Sequence, residues 1–341
     1  MSLEVPTFEV DPFWPKPLPN NWVLGQCSGI CVDANDNLWM IHRRDSLEAT
    51  EAGAAQDPPL SEWGVPAPSI IQFDPEGKVL QAWGGTTGGP WPVTEHGMFV
   101  DYEGNIWSGA NGAPDQVILK STPAGKRLLT LGVWGETNGS NDTKRLGRPA
   151  DITVDAEANE VYIADGYGNR RIIVFEATTG AYKRHWGAYG LPPVDGDLEP
   201  YDPDIEPLKT FRNPVHAVRI ANDGLVYVAD RRGDRVQVFQ KDGTYVKEAF
   251  VAPRTRGMGS AWDIEFSVDP AQTFVFLADG TNGRVWIMAR SRLEVVGWFG
   301  RKGRWAGCFE WVHNVCADSR GNLYTAEVNT GKRVQKFIRK S

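Results

Sequence analysis

The chain has 341 residues, 41% hydrophobic and 23% charged, which excludes wholesale disorder. Lys+Arg 36 against Asp+Glu 43 gives a net charge of −7, which argues against a nucleic-acid-binding surface, and no apolar run offers a membrane span. Four cysteines make no disulfide scaffold, and Cys27–Cys31 and Cys308–Cys316 lack the CxxC spacing of a zinc knuckle.

With 37 Gly, 23 Pro and 14 Trp, the composition predicts many turns and short aromatic strands rather than helices. Residues 1–19 carry neither a basic n-region nor an apolar h-region and read as an N-terminal extension. The sequence as it stands reads as cytoplasmic, with a removed signal left open. Residues 20–341 are expected to form a single domain.

One phrase then recurs: an apolar strand ending near Asp, a turn with Asn or Gly, and an aromatic strand. Its copies are GICVDANDNLWMIHR (29–43), GMFVDYEGNIWSGAN (97–111), DITVDAEANEVYIAD (151–165), AVRIANDGLVYVAD (217–230), DIEFSVDPAQTFVFLAD (263–279) and NVCADSRGNLYTAE (314–327). Each reads as a hairpin with period-two alternation. A third strand follows each copy, as in RIIVF (171–175) and RVQVF (235–239). A fourth comes next, as in YKRHWG (182–187) and VVGWFG (295–300). Four strands in six copies predict an all-β, six-bladed β-propeller. The sixth copy ends before its fourth strand. Asn21-Trp22-Val23-Leu24-Gly25 is similar to the fourth-strand phrase, so residues 20–25 are expected to pair outside 333–338 and close the ring. Residues 45–68, 85–95 and 188–213 interrupt the repeat, and loops of this length are often functional.

Propeller blades converge their innermost strands on a central channel, and the residue entering each strand faces it at one end. That slot reads Ser28, His96, Ala150, His216, Trp262 and His313 around the ring. Alternate slots are related by about a third of a turn, so three imidazoles meet near the axis, and three His with an open fourth position is the pattern of a catalytic zinc. The chain has 5 His. Of the two outside the slot, His185 lies on an outer strand and His42 stands beside Arg43; both read as structural. The turns after the second strands reach the same end of the channel and bring Arg43, Tyr167 and Arg231 beside the histidines. A guanidinium fork suits a carboxylate, and a tyrosine beside a divalent metal can act as a base.

The order of these motifs adds a resemblance. LGQ-x-SG-x-x-x-D…HR at 24–43, EHG at 95–97, DGYGN-x-R at 165–171, PVH…ADR at 214–231 and H-x-x-x-x-D at 313–318 are similar to the peptidyl-α-hydroxyglycine α-amidating lyase family, over residues 22–338 of an NHL-type repeat. The resemblance implies a zinc on His96, His216 and His313, with Arg43, Tyr167 and Arg231 as catalytic residues. It also implies a structural calcium deeper in the channel, on the carbonyls of Ile30 and Met98 and on the residue after the last His. That residue is Asp in the family and Asn314 here, a ligand of lower charge. Trp262 narrows the pocket, and the loops 45–68 and 188–213 reshape its mouth. The leading expectation is a zinc-dependent lyase acting on a small carbinolamide-like or hydroxy-acid substrate. A zinc-dependent hydrolase of a lactone or ester, or a non-catalytic NHL-type interaction scaffold, are the alternatives. The expected partner is a small-molecule or peptide substrate, with no nucleic acid and no membrane, and the expected state is a monomer.

Overall fold

The computed structural model describes residues 4–85 and 89–340. Six four-stranded antiparallel sheets form the blades of a propeller. Their innermost strands are Gln26–Val32, Glu95–Val100, Asp151–Asp155, Val215–Ile220, Asp263–Phe266 and Val312–Ala317. Helical structure among the described residues is confined to short 3-10 turns, and no helix is long and apolar enough to cross a membrane.

The recurrent acids have two separate jobs. In the first hairpin of a blade, an Asp side chain closes the turn and anchors the following aromatic. Asp33 accepts from Asn37 N at 3.0 Å and Trp39 Nε1 at 3.0 Å, and Asp101 repeats this with Asn105 N and Trp107 Nε1. The acid ending the second strand ties that strand to the third and to the preceding inter-blade loop. Asp165 accepts from Arg171 Nε at 2.9 Å and Gly147 N at 2.7 Å, and Asp230 accepts from Arg235 Nε at 2.8 Å and Arg212 N at 2.9 Å. Between blades lies the apolar core; Ala217, Tyr227 and Val236 of blade 4 pack on Ile264, Val275 and Met288 of blade 5.

The ring is closed by an N-terminal strand, but not by residues 20–25. Phe8–Asp11 pairs antiparallel with Arg333–Arg339, Phe8 opposite Arg339 and Asp11 opposite Lys336. Part of the segment read as an extension is therefore a strand of the last blade. The reason is reach. An outer strand lies three spacings of about 4.8 Å, about 14 Å in all, from the innermost position, and the three Cα steps from Val23 to Gln26 span at most about 11 Å. A strand ending at Val23 cannot feed an inner strand starting at Gln26. Trp22–Val23 instead pairs in parallel with Val65–Pro66, inside the first interruption of the repeat.

Candidate metal centre

At the slots the inner ladders slip by one residue. The irregularities fall between His96 and Met98, Val215 and Ala217, and Val312 and Asn314. A bulge re-aims its side chain, and here the three imidazoles leave the sheet face for the axis. Backbone packing permits this only with small neighbours. A Cβ on Gly97, whose φ is +70°, would stand 2.3 Å from Ala150 O.

All three predicted histidines meet. Their ring centroids are 5.1 Å (His96–His216), 4.7 Å (His96–His313) and 4.8 Å (His216–His313) apart, and each ring is buried. Nε2 of His96 and Nε2 of His313 are 3.2 Å apart. Two nitrogens bound to one tetrahedral zinc, each at about 2.0–2.1 Å, stand about 3.3 Å apart.

The outer nitrogens fix the tautomers. His96 Nδ1 is 2.6 Å from Ala150 O, and His216 Nδ1 is 2.5 Å from Trp262 O. Carbonyl oxygens only accept, so both Nδ1 atoms carry the proton. The two slots that lack His in blades 3 and 5 thus supply the carbonyls that orient the histidines of blades 2 and 4. His313 differs: its Nδ1 lies 2.5 Å from Asn314 Oδ1, and that amide is oriented by Asn314 Nδ2 donating to Asp263 Oδ2 at 3.1 Å. Three bare Nε2 lone pairs therefore face one another. Burial, foremost, holds all three imidazoles neutral, that of His313 down to about 3, helped by the neighbouring imidazoles and by Arg43 and Arg231. Converging lone pairs without protons fit a bound cation and suit little else. Three imidazole nitrogens within 4.8 Å of one another are a donor set that suits a divalent zinc-like ion.

The predicted neighbours gather on the same side. Tyr167 Oη is 3.0 Å from His96 Nε2 and 3.2 Å from His216 Nε2. Arg231 Nη1 donates to Tyr167 Oη at 3.0 Å, its Nε donates to Met258 O, and its guanidinium lies 4.4 Å over the Trp262 ring. Arg43 Nε donates to Glu95 O at 3.0 Å and its Nη1 to Gln26 Oε1 at 2.8 Å. Gly166 lets the Tyr167 turn press on blade 4, since a Cβ there would meet Val215 O at 1.9 Å. Trp262 narrows the centre as expected, its ring 5.7 Å from those of His216 and His313. Part of the loop 188–213 lines a cavity of about 510 Å³ together with Arg232 and Gly259.

His42 and His185 are structural. His42 is buried, its Nδ1 accepting from Gly25 N and its Nε2 facing Pro68 O, while His185 bonds Tyr182 and Asn141 at the surface. The sequence reading passed over Gln26, Arg148 and the backbone acceptors Glu95 O, Ala150 O, Trp262 O and Met258 O. Gln26 stood inside the LGQ phrase; the carbonyls have no side-chain signature.

The expected calcium does not fit. Ile30 and Met98 lie buried on inner strands, but the Asn314 amide is committed on both sides, to His313 and to Asp263. The carboxylates at this level already face a cation, the guanidinium of Arg219. It pairs with Asp151 and lies 3.4 Å from Asp263.

No family model matches the chain. It is 29% identical over 248 residues to peptidyl-glycine alpha-amidating monooxygenase B of Xenopus laevis, covering 70% of this chain and 25% of that one. It is 26% identical to peptidyl-alpha-hydroxyglycine alpha-amidating lyase 2 of Drosophila melanogaster, covering 99% and 77%, and 26% identical to mouse NHL repeat-containing protein 3, covering 86% and 71%. The chain thus matches about a quarter of the monooxygenase's length. Among solved structures, virginiamycin B lyase of Staphylococcus aureus superposes with a TM-score of 0.56 at 13% identity, over 97% of this chain and 99% of that one, a likeness of fold. Fold, repeat and relatives agree: the chain is a six-bladed propeller of the NHL-repeat type, homologous to the amidating lyases.

Proposed function

We propose that this chain is a zinc-dependent lyase of the amidating-lyase type, cleaving a small carbinolamide-like or hydroxy-acid substrate at the mouth of the channel. The observation that carries the reading is the phenol of Tyr167, within hydrogen-bond distance of two converging Nε2 atoms and of Arg231. His96, His216 and His313 would hold the ion, which when bound supplies a Lewis acid for the substrate hydroxyl. Arg231, donating to the phenol oxygen, supports negative charge there. Tyr167 takes the hydroxyl proton as the carbonyl forms. The C–N bond breaks, its electron pair leaves with nitrogen, and nitrogen takes that proton back from Tyr167, releasing an amide and an aldehyde. Arg43 and Arg231 each keep a guanidinium edge for carboxylate or carbonyl oxygens of the substrate. The relatives named as amidating lyases support this reading, and the one named for NHL repeats alone marks the scaffold alternative.

The test is turnover by the purified, zinc-loaded chain of an N-acyl-α-hydroxyglycine beside a nitrophenyl ester. Glyoxylate release that disappears on metal removal and in Tyr167→Phe is the expected result. Ester cleavage that survives Tyr167→Phe would transfer the site to the hydrolase reading. Turnover of neither substrate would leave a scaffold. The same preparation is expected to elute as a monomer.

A further inference from the structure

We infer that the mouth of the metal centre takes a substrate with two carboxylates, the second bound by Arg148. The inference deepens the lyase reading by naming a substrate class. Three buried arginines elsewhere in the fold pair with carboxylates, Arg171 with Asp165, Arg235 with Asp230 and Arg219 with Asp151, while Arg170 has all three of its guanidinium nitrogens taken by Asn213 Oδ1, Val194 O and Gly196 O. Around Tyr167 the pattern changes. Arg43, Arg148 and Arg231 have no ion pair with a carboxylate among the described residues and are held by neutral acceptors. Arg148 Nε donates to Asn111 O at 2.7 Å, and its guanidinium lies 5.9 Å from the Tyr167 ring. Its backbone is fixed as well: φ is +60°, and its carbonyl accepts from Tyr167 N at 3.1 Å. The side chain is exposed, and its two terminal nitrogens have no protein partner among the described residues. A guanidinium oriented through Nε, with its fork left open, is set for bidentate binding of a carboxylate. Arg43 and Arg231 flank the metal and take the first carboxylate; Arg148 stands at the rim and takes the second. Three unpaired guanidinium groups beside a divalent ion also favour a dianion over a monoanion by simple charge.

Calorimetric titration of the zinc-loaded chain with glutarate and with butyrate tests this without any turnover. Glutarate is expected to bind about tenfold tighter. Arg148→Gln is expected to lower glutarate affinity about tenfold more than butyrate affinity. Equal affinities in the parent chain, binding of neither anion, or an equal loss for both in Arg148→Gln would overturn the inference. Glutarate selectivity without carbinolamide turnover would sink the lyase reading and keep this one.

A second inference rests on other residues. We infer that Arg219 is the built-in structural cation of the channel, so that the fold needs no calcium. Arg219 lies on the inner strand of blade 4, three residues after His216, and is almost fully buried. Its guanidinium reaches between carboxylates of the flanking blades, Asp151 of blade 3 and Asp263 of blade 5. From there the contacts run upward: Asp263 Oδ2 accepts from Asn314 Nδ2, and Asn314 Oδ1 meets His313 Nδ1. Arg219 thus also acts as a positioning residue for one metal ligand, through two intermediates. Removing it would leave Asp151 and Asp263 buried without their shared cation and with Glu265 nearby, a set of carboxylate oxygens of the kind calcium binds.

Elemental analysis and thermal melts decide the matter. The parent chain is expected to purify without calcium, and its Tm is expected not to move on adding about 5 mM CaCl₂, which exceeds the Kd of even weak calcium sites. Arg219→Met is expected to melt several degrees lower, and calcium is expected to raise that Tm. One bound calcium per parent chain, a calcium-dependent parent Tm, or an Arg219→Met variant as stable as its parent without calcium would overturn the inference. Should Arg219→Met fail to fold, the parent measurements decide alone.

Discussion

Tyr167 Oη stands 3.0 Å from Nε2 of His96, the same nitrogen that faces His313 Nε2 at 3.2 Å. A phenol with one proton cannot satisfy converging lone pairs on three imidazoles, so it borders the metal position rather than replacing it. Tyr167→Phe removes only the hydroxyl. It is expected to lower turnover about 10²–10⁴-fold while metal content stays at the parental level. Elemental analysis beside the kinetics separates a base from a ligand: metal lost together with activity would make Tyr167 a ligand.

The metal itself is tested by the histidines. A His96→Ala/His313→Ala variant removes two of three donors that lie within 4.8 Å of one another and is expected to purify without zinc. His185→Ala, whose ring bonds only Tyr182 and Asn141, is expected to keep it. Zinc retained by the double variant would place the ion elsewhere.

Closure of the ring gives a stability prediction. Phe8 packs on Phe276 and Phe299, at centroid distances of 5.6 and 5.0 Å. Phe8 is half-buried, and Phe8→Ala is expected to destabilise the fold by about 1–2 kcal/mol, below the roughly 3 kcal/mol limit for fully burying a large apolar side chain. Deleting residues 1–11 is expected to cost more, because it also exposes the edge of Arg333–Arg339 to other chains. Unfolding in urea measures both, and an unchanged midpoint for the deletion would contradict the closure.

These predictions draw unequally on the sequence. Blade number and strand order were legible, because period-two alternation and the recurrent Asp are side-chain signals with local causes. The Asp33 and Asp101 turns are examples. The alternation of His96, His216 and His313 was legible for the same reason: equivalent slots in a repeat are equivalent places in space. The closing strand was not, since Phe8–Asp11 is short and its pairing depends on a span across a blade rather than on a phrase. Nor were the groups that orient the histidines, because Ala150 and Trp262 act through carbonyls. Arg219 did leave a trace, as the one charged residue in the apolar phrase AVRI. Its meaning depends on Asp151 and Asp263, which lie 68 and 44 residues away in sequence and come together only when the ring closes.

Below Arg219 the channel holds one more acid with a measurable signature. Glu265 lies two residues after Asp263 on the same inner strand. Burial pushes its carboxyl up to about 7, against the opposing pull of Arg219. The folded chain therefore keeps a proton there that the unfolded chain releases near its ordinary value, about 4.3. Between those two values the native state binds more protons than the unfolded one, so this residue's contribution to stability falls as pH rises through about 4.3 to 7. Glu265→Gln removes the ionisation and keeps the shape. At pH 8 the variant is expected to be more stable than its parent by up to about 4 kcal/mol, the full linkage value for a carboxyl moved from about 4.3 to about 7. At pH 4 both side chains are neutral, and the two proteins are expected to unfold at the same denaturant concentration. Asp151, also pushed up to about 7 by burial, titrates over the same window in both proteins and largely cancels in the difference. Urea unfolding of the pair at pH 4, 6 and 8 checks the sign directly. A variant less stable than its parent at pH 8 would mean that the Glu265 carboxylate is held charged by Arg219, and the balance of burial against pairing in the lower channel would be the reverse of the one described.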